Sequence, residues 1–295
     1  MKNEINLEIN ESYDFNSCNI STDSDDIIID KSSVKCIKTG QYSIKVDNNE
    51  ITLNVLNKHE LDTSFDISYG RFSNKNLLIL GDSVSAQATI GENNKTYSTL
   101  LKEALNINKL INAAIGGTTL TYMYEGSNID KEYHNHETAI DCCRVVLRLA
   151  KENKLSDIDY VFIAYGHNDK YFKPEIDEEN KNVNSLQDIH SFKNSFRYVV
   201  KTLKEHNPNV KVLVLNCTYS EYDINSKSPY GDKYSYADYR NANKEIADEL
   251  SLKHLDPWDY CKTYFDHGNG NKYYQDSVHI SPLGHKILFE YLLNK

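Results

Sequence analysis

Two fold regions are written into this chain: a small all-β sandwich at the N-terminus, then an α/β fold whose parallel sheet is covered by helices on both faces. Three observations predict them. Up to about residue 57 apolar and polar residues alternate; from Asn76 onward short apolar runs alternate with segments of helical period; and successive apolar runs end in Gly-Asp-Ser, Gly-Gly-Thr-Thr and Gly-His-Asn-Asp. Strict alternation marks a half-buried strand, whereas alternating strand and helix patterns mark a parallel sheet with crossover helices.

Length and composition set the outer bounds. The 295 residues, 39% hydrophobic and 26% charged, suit one large folded domain with a small appendage. A net charge of −10 argues against a phosphate-backbone partner, because nucleic-acid affinity rests on clustered Lys and Arg. The opening "MKNEINLEINESYDF" has neither the apolar core nor the small-residue cleavage site of a secretory signal, so the chain as written reads as cytoplasmic, and as secreted if a signal precedes it. No apolar run reaches membrane-spanning length. The six cysteines show no C-x-x-C pair, which predicts buried thiols, with Cys18 and Cys36 the one pair placed to bridge.

In the first region the alternating sets are Ile5, Leu7 and Ile9, then Tyr42, Ile44 and Val46, then Ile51, Leu53 and Val55. Thr39-Gly40 and Asp47-Asn48-Asn49 supply turns between them, so residues 1–57 predict a small antiparallel sandwich. The run "VKCIKTGQYSIKVDNNEITLNVLN" resembles the last strands of bacterial immunoglobulin-like domains. Residues 58–71 read as a linker into the second region, residues 72–295.

There the strand candidates are Leu77 to Leu80, Leu110 to Ile115, Tyr160 to Tyr165, Val210 to Leu215 and a short one near Leu255. Between them "HETAIDCCRVVLRLAKEN" predicts a helix burying Ile140, Cys143, Leu147 and Ala150, and "SFKNSFRYVVKTLKEH" one burying Phe192, Phe196, Val199 and Leu203.

Functional groups of such folds gather at the carboxyl ends of strands. Gly81-Asp82-Ser83 ends the first strand, Gly116-Gly117-Thr118-Thr119 the second and Gly166-His167-Asn168-Asp169 the third; near the C-terminus Asp276 precedes His279 by three residues. Taken alone, Gly-Asp-Ser is ordinary turn and helix-cap chemistry. Together these types make an acyl-transfer set. A serine hydroxyl needs an imidazole to take its proton, and the imidazole needs a carboxylate to fix its tautomer. The oxyanion that develops needs donors aimed at it beforehand, which Gly117, Asn168 and the Ser83 amide can supply.

"GDSVS", "NAAIGGTT", "GHND" and "DSVH" resemble, in order, the four blocks of the GDSL or SGNH hydrolases, over about residues 72–295. The resemblance implies a three-layer α/β/α flavodoxin-like fold and ester hydrolysis without metal or cofactor. It implies Ser83 as nucleophile, His279 as base, Asp276 as its orienting partner, and Ser83, Gly117 and Asn168 as the oxyanion hole. Either Gly116 or Gly117 can match the block glycine, and "INAAI" aligns the second with it. Val84 replaces the leucine of the four-letter name. The α/β-hydrolase elbow Gly-x-Ser-x-Gly is absent around Ser83.

Gly116 and His167 border the expected substrate site. Asp82 and Asp169 read as braces formed by local hydrogen bonds, His285 as a terminal-helix surface residue, and His134 and His136 as exposed loop residues, not metal ligands. Many of the 22 tyrosines fall between elements: Tyr122, Tyr124, Tyr133, Tyr171, Tyr222, Tyr230, Tyr234, Tyr236, Tyr273 and Tyr274. Rings with an apolar face and a hydroxyl suit sugars better than acyl chains, although packing explains tyrosines equally well. The sequence therefore predicts a serine esterase that removes small acyl groups from a carbohydrate. A lipid ester or thioester hydrolase, an acyltransferase, and a binding or adhesion protein with a relic hydrolase domain are the alternatives.

Overall fold

A computed structural model of the chain describes residues 4–8, 12–15, 18–37, 40–47, 49–56, 67–86, 95–127, 141–220, 227–265, 270–276 and 278–295. It divides into two compact units, Met1–Phe65 and Asp66–Lys295. The second unit takes in the end of the expected linker, because Ile67 is buried and Phe72 stacks on Tyr160 with ring centroids 4.0 Å apart.

Among the described residues the first unit holds seven strands: β1 (Glu4–Glu8), β2 (Ser12–Asp14), β3 (Ile20–Ser21), β4 (Ile27–Asp30), β5 (Ser33–Cys36), β6 (Gly40–Val46) and β7 (Asn49–Leu56). They form two sheets, ordered β1-β7-β6-β3 and β2-β5-β4. The alternating residues Ile44, Val46, Ile51 and Leu53 close over Val34 and Cys36 from the smaller sheet. All six cysteines are reduced, so Cys18 and Cys36 are not joined. Two features differ from the sequence reading. β2 to β5 are two to four residues long, too short to register as a period. β1 pairs with β7 in parallel, Ile5 opposite Leu53, so the unit is not wholly antiparallel. A parallel pair needs a long connection instead of a hairpin, and the five intervening strands supply it.

The described residues of the second unit form a five-stranded parallel sheet: β8 (Asn76–Gly81), β9 (Lys109–Asn112), β10 (Tyr160–Ala164), β11 (Lys211–Leu215) and β12 (Lys253–Leu255). Its helices are α1 (Tyr69–Phe72), α2 (Tyr97–Ala104), α3 (Cys142–Lys151), α4 (His167–Phe172), α5 (Phe192–His206), α6 (Tyr236–Glu249), α7 (Trp258–Phe265), α8 (Gly270–Tyr273) and α9 (Pro282–Leu293). The spatial order β12-β11-β10-β8-β9 is the flavodoxin-like one. After β8 the chain steps to the edge strand β9, then returns across β8 to lay down β10, β11 and β12. The reversal opens a crevice at the carboxyl ends of β8 and β10.

β8, β10 and β11 are buried on both faces, which is why they read as unbroken apolar runs. Leu78, Leu80, Val161, Ile163, Val212 and Val214 point into one core with α3, α5 and α6, and α2 packs against α9 elsewhere in the unit. Phe192, Phe196, Val199 and Leu203 are all buried in α5, as their spacing predicts. In α3 Cys143 and Ala150 are buried as expected, and the buried face is wider than the spacing suggests, taking in Cys142, Val145, Val146 and Leu149 as well. Leu147 lies at its margin, and Ile140 is outside the described residues. The helix begins later than the apolar pattern suggests, because Asp141 caps it by accepting the Arg144 amide at 2.9 Å. Among the described residues no helix is long and apolar enough to cross a membrane.

Candidate active site

β8 is held on both sides, by β9 and β10, and delivers Gly81-Asp82-Ser83 to the crevice. Gly81 has to be glycine here for reasons of space: a Cβ on it would lie 2.7 Å from Ser85 Oγ and 3.1 Å from the Ala164 carbonyl oxygen. Asp82 is buried, and its Oδ1 accepts the Val84 amide at 3.0 Å, the local brace its position predicts. Ser85 is fixed in turn by Asn112, whose Nδ2 donates to the Ser85 carbonyl at 2.7 Å, and by Tyr97, whose hydroxyl lies 2.9 Å from Ser85 Oγ. Ser83 is left partly exposed at the end of a rigid strand.

The imidazole arrives from the far end of the chain on a tight hairpin. Tyr274 pairs with Ile280 in an antiparallel bridge, the Gln275 amide donates to the His279 carbonyl at 2.8 Å, and the Ser281 amide to the Tyr273 carbonyl at 2.7 Å. Ser281 then caps α9, with Pro282 at its first turn. His279 Nε2 lies 2.8 Å from Ser83 Oγ, and its Nδ1 lies 2.6 Å from Asp276 Oδ2. A carboxylate only accepts, so Nδ1 carries the proton, and Nε2 is left to accept from the serine hydroxyl. Burial works to raise the Asp276 carboxyl, but the His279 amide, the His279 ring and the Val278 amide outweigh it and hold it below the usual carboxylate range. The ring is 25% exposed, so the relay borders solvent, from which a water can reach it.

The residues expected to meet an oxyanion lie on the loop after β9 and at the start of α4, which follows β10. Gly117 takes φ +77°, the left-handed region in which a side chain is strained. A Cβ on Gly116 would stand 3.6 Å from Ser83 Cβ, which places that glycine against the serine. Asn168 lies in the first turn of α4 and donates one Nδ2 hydrogen to the Thr118 carbonyl at 2.7 Å. The bond fixes the plane of the amide and leaves its second hydrogen available. Thr118 Oγ1 donates to the Ile115 carbonyl at 2.6 Å and lies 3.3 Å from that of Gly81, tying this loop to the serine strand.

Thus a serine, an imidazole and a carboxylate are hydrogen-bonded in series beside a loop with a left-handed glycine and a helix start with an oriented amide, at the crevice where the sheet order reverses. The model of the GDSL-like lipase/acylhydrolase family matches residues 79–287. The chain belongs to that family. A protein from Lactobacillus plantarum has a similar solved structure, with a TM-score of 0.53 and 18% identity over 75% of this chain and 96% of that one. A catalytic mutant of an acetylxylan esterase from Geobacillus stearothermophilus gives a TM-score of 0.48 and 19% identity over 75% of this chain and 94% of that one. The first of these likenesses shows the shared fold. No curated protein matches the sequence.

The remaining residues read from the sequence fall on either side of this GDSL-family site. His167 is 6% exposed and stacks on Tyr236, with ring centroids 5.4 Å apart, so its ring is packed inside and does not face solvent. Tyr236 is itself buried, whereas Tyr122, Tyr124, Tyr171, Tyr230, Tyr234, Tyr273 and Tyr274 are half-buried; Tyr133 and Tyr222 lie outside the described residues. His134 and His136 also lie outside them, and among the described residues no cluster of His, Cys, Asp and Glu has the arrangement of a metal site. Contrary to its expected place on the surface of the terminal helix, His285 is fully buried. The inward stripe of α9 runs through Gly284, His285, Leu288 and Leu292, which sets the imidazole against Tyr97. Asp169 does brace a loop, but one distant in sequence, at Leu120 and Thr121. Spacing within a block carries no signal of such a partner.

Proposed function

We propose that the chain is a serine esterase that works through an acyl-enzyme and removes small acyl groups, acetyl above all, from a carbohydrate. The observation that carries the reading is the continuous series Ser83 Oγ, His279 and Asp276, with contacts of 2.8 and 2.6 Å. His279 Nε2 takes the hydroxyl proton as Ser83 Oγ attacks the ester carbonyl, and Asp276 stabilises the imidazolium. The oxyanion is met by the Ser83 and Gly117 amides and by the second Nδ2 hydrogen of Asn168. The same proton then passes from Nε2 to the departing alcohol. Water, deprotonated by His279, attacks the acyl-enzyme; the bond to Ser83 Oγ breaks to release the acid, and the imidazolium returns its proton to that oxygen.

The sugar part of the reading is supported by aromatic surroundings. Tyr171 follows Asn168 by three residues and so shares a face of α4 with it, and its ring meets that of Tyr230 edge-on at 5.9 Å. Rings that offer both an apolar face and a hydroxyl match a sugar ring with its acyl oxygen. Hydrolysis of p-nitrophenyl acetate by the wild-type chain, its loss in Ser83→Ala at unchanged circular dichroism, and faster turnover of acetylated oligosaccharides than of octanoyl esters are the expected results. No turnover of any short ester would end the esterase reading, and a preference for octanoyl esters would replace the sugar with a lipid.

A further inference from the structure

The geometry points to Asp169 as a positioning residue that sets the oxyanion hole by riveting the loop after β9 to α4. Asp169 follows Asn168 in the chain and is fully buried. Its Oδ2 accepts the Leu120 amide at 3.0 Å, and its Oδ1 accepts the Thr121 amide at 3.0 Å and the Thr121 hydroxyl at 2.6 Å. Asn168 reaches the same segment through the Thr118 carbonyl. Two consecutive residues of α4 therefore hold Thr118, Leu120 and Thr121, and that segment begins immediately after Gly117. One candidate donor lies on each side of the clasp: the Gly117 amide on the loop, the Asn168 amide on the helix. An oxyanion site has to be held to within about 0.5 Å, so whatever fixes loop against helix fixes its strength.

An ionised carboxylate accepts from all three donors with no hydrogen of its own to place. An asparagine in its place has one acceptor oxygen and turns an NH2 toward a donor. Burial pushes the Asp169 carboxyl up to about 6, against the pull of the Thr121 hydroxyl and the Leu120 and Thr121 amides. The fold keeps this costly group where a neutral pair of side chains would be cheaper to bury.

The inference rests on the proposed esterase reaction, and kinetics of the full chain on p-nitrophenyl acetate test it. Asp169→Asn is expected to lower kcat by about 10- to 100-fold and leave KM within about threefold, the signature of a contact that matters only in the transition state. In an Asn168→Ala background the same change is expected to cost much less, because one of the two donors being aligned is already gone. A wild-type kcat in folded Asp169→Asn, a rise in KM alone, or the full loss persisting beside Asn168→Ala would each overturn the assignment. Should Asp169→Asn fail to fold, Thr121→Val removes the hydroxyl donor alone and is expected to lower kcat several-fold with KM unchanged; a wild-type kcat there overturns it equally. Ser83→Ala separates the two readings. If it keeps wild-type activity, the esterase mechanism falls; if it is dead while Asp169→Asn is fully active, only the rivet falls.

Discussion

Asp276 holds His279 twice: Oδ2 meets the ring Nδ1 at 2.6 Å, and Oδ1 accepts the His279 backbone amide at 2.7 Å. The Val278 amide donates to the same Oδ1, also at 2.7 Å. The carboxylate thus orients the imidazole and ties off the turn that carries it, although it is half exposed.

Asp276→Asn separates these two duties. The amide oxygen can still accept from the backbone, but the NH2 then faces Nδ1 and favours the tautomer with its proton on Nε2. That tautomer cannot take the Ser83 proton. The expected loss in kcat on p-nitrophenyl acetate is on the order of 10³ to 10⁴, with the melting temperature little changed. An activity near wild type would show that solvent alone can set this tautomer.

Asn168→Ala removes the proposed oxyanion donor and, with it, the bond to the Thr118 carbonyl. A fall in kcat of about 10² to 10³ with KM nearly constant is expected. A KM effect alone would move Asn168 from the transition state to ground-state binding.

Both predictions concern residues legible in the sequence, and the reason is physical. Ser83, Gly117 and Asn168 each lie just beyond an apolar run and the Asp276–His279 pair just before the terminal helix, where strand ends and caps announce themselves locally. The strand Asn76–Gly81 was legible for the same reason, since burial on both faces leaves an unbroken apolar run. What escaped depends on contacts made across the chain. Asp169 bonds Leu120 and Thr121, β1 aligns with β7 in parallel, and α3 turns Val145 and Val146 inward because Asp141 sets its start. No pattern along the sequence encodes which distant segment a carboxylate or a strand will meet.

Gly284 supports the hairpin from behind. A Cβ on it would lie 2.4 Å from the Tyr273 carbonyl oxygen and 2.8 Å from Ile280 Cβ, and neither can retreat, since one is backbone and the other is fully buried beside His279. Gly284→Ala is expected to cost roughly 1 to 3 kcal/mol in stability, read as a lower melting temperature, and to lower esterase activity by shifting His279. An unchanged melting temperature would mean that α9 has room the packing does not display.

His285 gives the fold a pH dependence with a definite sign. Burial lowers its imidazole to about 4, and its Nδ1 accepts the Tyr97 amide at 3.4 Å as a neutral ring stacked on that tyrosine. Above the unfolded value near 6.5 the ring is neutral in both states and contributes no pH dependence. Between about 6.5 and about 4 the unfolded chain takes up a proton that the folded one refuses, so stability falls as the pH falls. Below that range both states are protonated and the full penalty, at most about 3 kcal/mol, has been reached. His285→Gln keeps a side-chain acceptor without a titrating group. Its melting temperature is therefore expected to drop less than that of the wild type between neutral pH and pH values near 5, whatever its absolute stability at pH 7. Parallel losses in the two proteins would place the acid sensitivity in other groups and show that His285 takes up its proton without unfolding.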